Sequence, residues 1–166
     1  MPRALSEITP ALATNPGNAV GPQGPSGPPG PPGNQPTDIQ IFSGEIATTQ
    51  DSPLRAGSRF LDLTPFPPVL SSGLNRVVEF VANIEVSGGT GTVRLRNRDD
   101  METVTGTQIA TTGTTNVEVR SGALTVGAAA GNLVDDRMYE VEIFHTGGSP
   151  SDAVTITNAR LEVTYV

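Results

Sequence analysis

A chain of 166 residues with formal charge −7, ten arginines, no lysine and no cysteine excludes several classes of protein at the outset. Disulfides and thiolate metal sites cannot form, and without a basic cluster there is no electrostatic footprint for nucleic acid or for an anionic membrane surface. No apolar run approaches the roughly 20 residues of a membrane-spanning helix, and Met1-Pro2-Arg3-Ala4-Leu5-Ser6-Glu7-Ile8-Thr9-Pro10 lacks the continuous apolar stretch of a secretory signal.

Residues 1–20 carry Pro2, Pro10 and Pro16 and almost no charge beyond Arg3 and Glu7. Leu5, Ile8 and Leu12 stand at helical spacings, but Pro10 interrupts them. The reading is an extended N-terminal arm whose apolar contacts are Leu5, Ile8, Leu12 and Val20. From there the character changes. Gly21, Gly24, Gly27, Gly30 and Gly33 fall on every third position, and proline directly follows each glycine until Asn34. Proline presets the polyproline II conformation, and a three-residue turn brings the glycines to one edge, where three chains can pack without Cβ atoms between them. The pattern predicts a collagen-like stalk over 21–33, only about 40 Å long at ~3.1 Å per residue. That is too short to hold three chains together alone, so the trimer must be formed by what flanks the stalk.

After a linker at 34–38, residues 39–166 read as β-structure throughout. Ile39, Ile41 and Ile46 begin it; Asp51-Ser52-Pro53 and Arg55-Ala56-Gly57 read as turns or loop, and Phe60 to Leu63 as a short strand. Val78, Phe80, Ala82, Ile84 and Val86 alternate with Glu79, Asn83 and Glu85, the period of a half-buried strand. Ser87-Gly88-Gly89-Thr90-Gly91 reads as a hairpin, after which Val93 and Leu95 alternate with Arg94, Arg96 and Arg98. Further strands are expected near Gln108–Thr111, through Val117 and Val119, and through Tyr139, Val141 and Ile143, which alternate with Glu140 and Glu142. In the last strand Val154 and Ile156 sit on even positions, whereas Leu161, Val163 and Tyr165 sit on odd ones. One face holds both sets only if a β-bulge intervenes near Asn158-Ala159. Eight or nine short strands without helical periodicity predict an all-β, antiparallel β-sandwich of the jelly-roll type, with the final strand paired inside a sheet.

Catalysis finds little footing. There is one histidine, His145, placed at a strand end, and no serine in a Gly-x-Ser-x-Gly elbow. The acidic clusters Asp99-Asp100-Met101-Glu102 and Asp135-Asp136 lack the alternating spacing of a calcium loop and read as solvated turns. No metal ion or other cofactor is expected. Arg94, Arg96 and Arg98 either meet an acidic neighbouring subunit or face solvent. With no Trp, two Tyr and five Phe, the chain is poor in the aromatic platforms that stack sugars, so a host-surface glycan is only weakly supported as a partner.

A non-secretory N-terminal arm, a few Gly-Pro-x triplets at 21–33 and a cysteine-free β-sandwich resemble the trimeric virion proteins of tailed bacteriophages, in which short collagen-like runs recur in head fibres, tail fibres and spikes. The resemblance implies a non-enzymatic homotrimer on the virion surface, made in the host cytoplasm. Its arm would anchor to the major capsid protein or another virion component, and its sandwich would form the trimer. Within that class a small domain on a long arm points to capsid decoration (cement) or a head fibre; the alternative is a tail or baseplate fibre with a receptor-binding sandwich. A further alternative with the same layout is the spore-surface collagen-like protein with a complement-type jelly-roll head. Those have longer collagen regions and heads richer in aromatics.

Overall fold

Among the described residues there are nine strands: β1 (Thr37–Thr48), β2 (Leu54–Leu61), β3 (Arg76–Val86), β4 (Thr90–Asn97), β5 (Glu102–Thr103), β6 (Ile109–Thr111), β7 (Val117–Ala123), β8 (Arg137–Thr146) and β9 (Val154–Tyr165). This computed structural model describes residues 36–166. The arm contacts Leu5, Ile8, Leu12 and Val20 and the stalk glycines Gly21, Gly24, Gly27, Gly30 and Gly33 lie outside the described residues. Every ladder is antiparallel.

One sheet has the order β1-β9-β3-β7 and the other β2-β8-β4-β5, with β6 also pairing β4. Two antiparallel sheets whose successive long strands alternate between layers make a jelly roll. The even-numbered residues of β3 from Val78 to Val86 face the other sheet and are fully buried, as are Leu95, Tyr139, Val141, Ile143, Ile156 and Leu161. Each such Leu, Ile or Phe contributes roughly 1.5–3 kcal/mol. Tyr139 is the largest fully buried side chain. Its hydroxyl donates to the Val134 carbonyl and accepts from the Val134 N–H, so a polar atom enters the core without losing its hydrogen bonds.

The bulge expected in the last strand is present. Asn83 stands opposite Asn158 and Ile84 opposite Ile156, leaving Thr157 as the extra residue. That one insertion lets Ile156 and Ala159, and then Leu161 and Val163, all reach the core. β9 lies between β1 and β3, so the C-terminal strand is interior to its sheet. β1 starts at Thr37, so strand pairing reaches into the 34–38 linker.

Three local expectations are corrected. Ser87–Gly91 is not a hairpin, because β3 and β4 belong to different sheets and the turn carries the chain across the sandwich. Alternation marks a strand but not the layer that it joins. Arg55-Ala56-Gly57 is not loop but part of β2, which bulges between Ala56 and Arg59. Gly57 has φ +64°, and a Cβ there would stand 2.5 Å from the Ile41 carbonyl oxygen of β1; glycine serves close approach here, not a turn. The strand expected over Phe60–Leu63 is the end of this same β2, closing at Leu61.

Candidate functional site

The outer face of each sheet is covered by charge. In the β2-β8-β4 layer Arg94 stands opposite Glu142, and Arg96 opposite Glu140. Arg55 of β2 stands on the other side of Glu142. Arg94 Nε lies 2.7 Å from Glu142 and Arg96 Nη1 lies 2.6 Å from Glu140; Arg55 Nε reaches Glu142 at 3.1 Å and Glu140 at 3.3 Å. Three guanidiniums roof two carboxylates so closely that the Glu142 side chain is only 2% exposed. Arg94 also lies over the Phe144 ring, 5.3 Å from its centroid. The arginines of β4 therefore neither face solvent nor wait for another subunit's acids: Arg94 and Arg96 are neutralised within the chain. Arg98, beyond the strand end, reaches the Ser58 hydroxyl.

The β1-β9-β3-β7 layer repeats the device with the opposite balance. Glu79 and Glu162 are directly opposite in register, an unfavourable pairing of like charges. Arg120 bridges them, holding Glu162 through both carboxylate oxygens at 2.9 and 3.0 Å and Glu79 at 3.2 Å. Arg160 ties in Glu118 at 2.9 Å and Asp38 at 3.2 Å. Val81, whose register partners are Arg120 and Arg160, is fully buried on this outer face. The arginine stems account for that burial.

Hydrogen bonds from Arg120 hold the Glu162 carboxyl below the usual glutamate range, and the hydrogen bond from Arg160 does the same for Glu118. A carboxyl depressed in the folded state contributes stability above its unfolded pKa, and this is lost as pH falls through the folded value. The melting temperature is therefore expected to fall as pH drops below about 4.3, the ordinary glutamate value. Glu162→Gln should be less stable than the parent at pH 7, and the gap should narrow by pH 3. Calorimetry across that range checks this; a constant gap contradicts it.

His145 is 2% exposed, with Nε2 at 2.6 Å from the Gly88 carbonyl and its backbone N–H donating to Gln50. It fastens the turns at the end of the sandwich opposite the start of β1, here called the far end. Both acidic clusters meet at the other, basal end, where β1 begins. Apart from Asp136, their carboxylates are engaged with the chain itself. Asp99 accepts from the Met138 N–H, Asp100 from Asn97 Nδ2, Glu102 from the Gly131 N–H, and Asp135 from the Leu63 N–H. Among the described residues no group of three or more His, Asp and Glu side chains is arranged to hold a metal ion.

Between these segments lies a cleft of about 420 Å³ lined by Asn97, Asp100, Glu102, Asn132 and Arg137 over the small-residue loop Ala128–Ala130. Among the described residues the two non-glycine residues in left-handed backbone conformation, Met101 and Asp136, flank it. A second groove, about 400 Å³, lies beside the start of β1, lined by Asp38, Gln40, Arg59, Phe60, Asp62 and Phe66. Phe60, 52% exposed, stands in its wall among these charged and polar side chains. Neither Phe60 nor the Glu140–Glu142 roof was singled out from sequence. The second could have been found: an Arg-x-Arg strand and a Glu-x-Glu strand of equal period invite antiparallel pairing.

No known family pattern matches the sequence, and no characterised protein is significantly similar to it. Among solved structures the chain is similar to the CBM36-1 domain of a multidomain xylanase from the hindgut metagenome of Trinervitermes trinervoides. That similarity has 13% identity and a TM-score of 0.43, and covers 78% of this chain and 96% of that one.

Proposed function

We propose that this protein is a structural component of a tailed-bacteriophage virion: a trimeric capsid decoration or head-fibre protein, anchored by its N-terminal arm and without enzymatic activity. The observation that carries the reading is the unbroken glycine register from Gly21 to Gly33 leading into a cysteine-free jelly roll. Three polyproline chains need glycine at each crowded axial position, so the register is a requirement for three copies. The sandwich supports a structural role because its two faces are closed by intrachain ion pairs and its histidine fastens a turn. The partners on this reading are two further copies of the chain and a shell protein, with neither nucleic acid nor membrane involved.

Gold-labelled antibody on purified particles tests the location. Label over the head supports decoration, label on the tail supports the fibre with a receptor-binding sandwich, and a protein absent from particles overturns the virion reading.

The arm gives a further expected result. Burying a Leu or Ile contributes roughly 1.5–3 kcal/mol, and three arms on one trimer bind with raised effective concentration. Deleting residues 2–20 should therefore abolish occupancy on particles otherwise lacking the protein. Attachment by the intact chain should vary little with salt, because apolar contacts are not screened. Full occupancy by the truncated protein would move the attachment surface to the sandwich.

A further inference from the structure

We propose that the basal groove around Phe60 and Phe66 is the surface through which the sandwich domain meets a second copy of itself around the threefold axis. This inference rests on the trimeric reading above and names the part of the domain that makes the contact. Among the described residues four of the five exposed large apolar side chains, Phe60, Val69, Met101 and Val166, lie at the basal end, and Leu54 is elsewhere. Their placement follows from the pairing. Phe60 is opposite Met138 at the start of β8, Val69 bridges to Asn75, and Asn75 exchanges both backbone hydrogen bonds with Val166. Met101 sits in the turn that follows β4, whose last residue, Asn97, pairs with Tyr139.

Covalent reach decides between this end and the rest of the domain. Three residues, Asn34 to Pro36, separate Gly33 from Thr37 at the start of β1. Four chain steps span at most about 14 Å. If three Gly33 residues pack at one axis, all three β1 starts lie within roughly 15–20 Å of it. β1 has 12 residues and runs for about 40 Å, so the far ends are under no such constraint. The basal ends are thus held beside one another at the millimolar effective concentration of a short tether.

The chemistry of the groove suits a heterologous contact between copies. Among the described residues no carboxylate lies within ion-pair reach of Arg59, and no cation within reach of Asp62, though both line the groove beside Phe60. In a threefold ring one side of each copy meets the other side of the next, and Arg59 can then be matched across the contact with Asp62, whose carboxylate accepts only from Thr64 among the described residues, beside an exposed aromatic. On the outer faces Arg55, Arg94, Arg96, Arg120 and Arg160 are already paired with carboxylates of their own chain.

The test uses the full chain. Sedimentation velocity over the micromolar range should show a trimer for the parent. Phe60→Glu should weaken its association by at least about tenfold, the scale of an aromatic interface anchor, and Leu54→Glu at the far end should leave it unchanged. Circular dichroism establishes that both variants are folded. Because the chain has no cysteine, Asp62→Cys and Ser52→Cys give clean single labels. A short bis-maleimide should join copies of the first and not of the second. A monomeric parent sinks the trimer reading and this inference together. A trimeric parent that Phe60→Glu leaves intact, or that crosslinks at Ser52→Cys and not at Asp62→Cys, overturns the interface alone.

Discussion

Replacing Glu142 by alanine is expected to cost about 3 kcal/mol, because it removes the anion under three guanidiniums and leaves their charge without its partner. Arg96 would suffer most, since its side chain is 7% exposed and, though it keeps Glu140, it cannot reach water. Arg55 and Arg94 are half or a quarter exposed and can turn to water. For a domain of this size that loss lowers the melting temperature by about 10 °C. A double variant, Arg96→Met with Glu142→Leu, should recover part of it, because it also removes the guanidinium least able to turn to water, although Glu140 is then left to Arg55 alone. Thermal unfolding of the three proteins decides the matter. A loss below about 1 kcal/mol for Glu142→Ala would reduce this network to the standing of an ordinary surface ion pair.

The second large effect is expected at Gly89. It has φ +71°, and a Cβ there would stand 2.7 Å from His145 Nε2 and 2.8 Å from the carbonyl oxygens of Thr146 and Gly147. Two of those three obstacles are backbone, which cannot swing aside. Gly89→Ala should therefore combine the left-handed conformational cost of about 1–2 kcal/mol with an overpacking cost of about 1–3 kcal/mol. Gly122 supplies the comparison. Its φ is +75°, yet nothing lies within 4 Å of an added Cβ, so Gly122→Ala should show the conformational cost alone. Urea denaturation measures both. Equal losses would mean that the close approach of the far-end turns contributes nothing at Gly89.

That turn also shows where sequence reasoning stopped short. Ser87-Gly88-Gly89 announces a change of direction, and a change of direction is what it is. Whether the next strand pairs with the last or crosses to the opposite layer depends on β8 and β9, which come much later in the chain and occupy the places beside β4 and β3. The Arg55-Ala56-Gly57 segment failed for a related reason. A glycine required because β1 passes close by looks, in one dimension, like a glycine required by a turn. The bulge in β9 could be read in advance, because the apolar phase changes from even to odd within a single strand and only an extra residue reconciles the two.

By itself the sequence determined the β-sandwich class, since a period of two is a local property of strands with one face in a core. It also determined that His145 has no cysteine or second histidine to work with, and that the glycine register at 21–33 is a pattern demanding an account. The tertiary structure alone decided the charges and the surface. Arg94 and Arg96 are neighbours of Glu140 and Glu142, and Arg120 of Glu162, only because strands more than 40 residues apart lie side by side. The basal cluster of Phe60, Val69 and Met101 exists because the end of β2, the β2–β3 connection and the β4–β5 turn lie at the same pole of the sandwich. Long-range pairing carries no local signature, since each residue's partner is chosen by the register of a strand elsewhere in the chain.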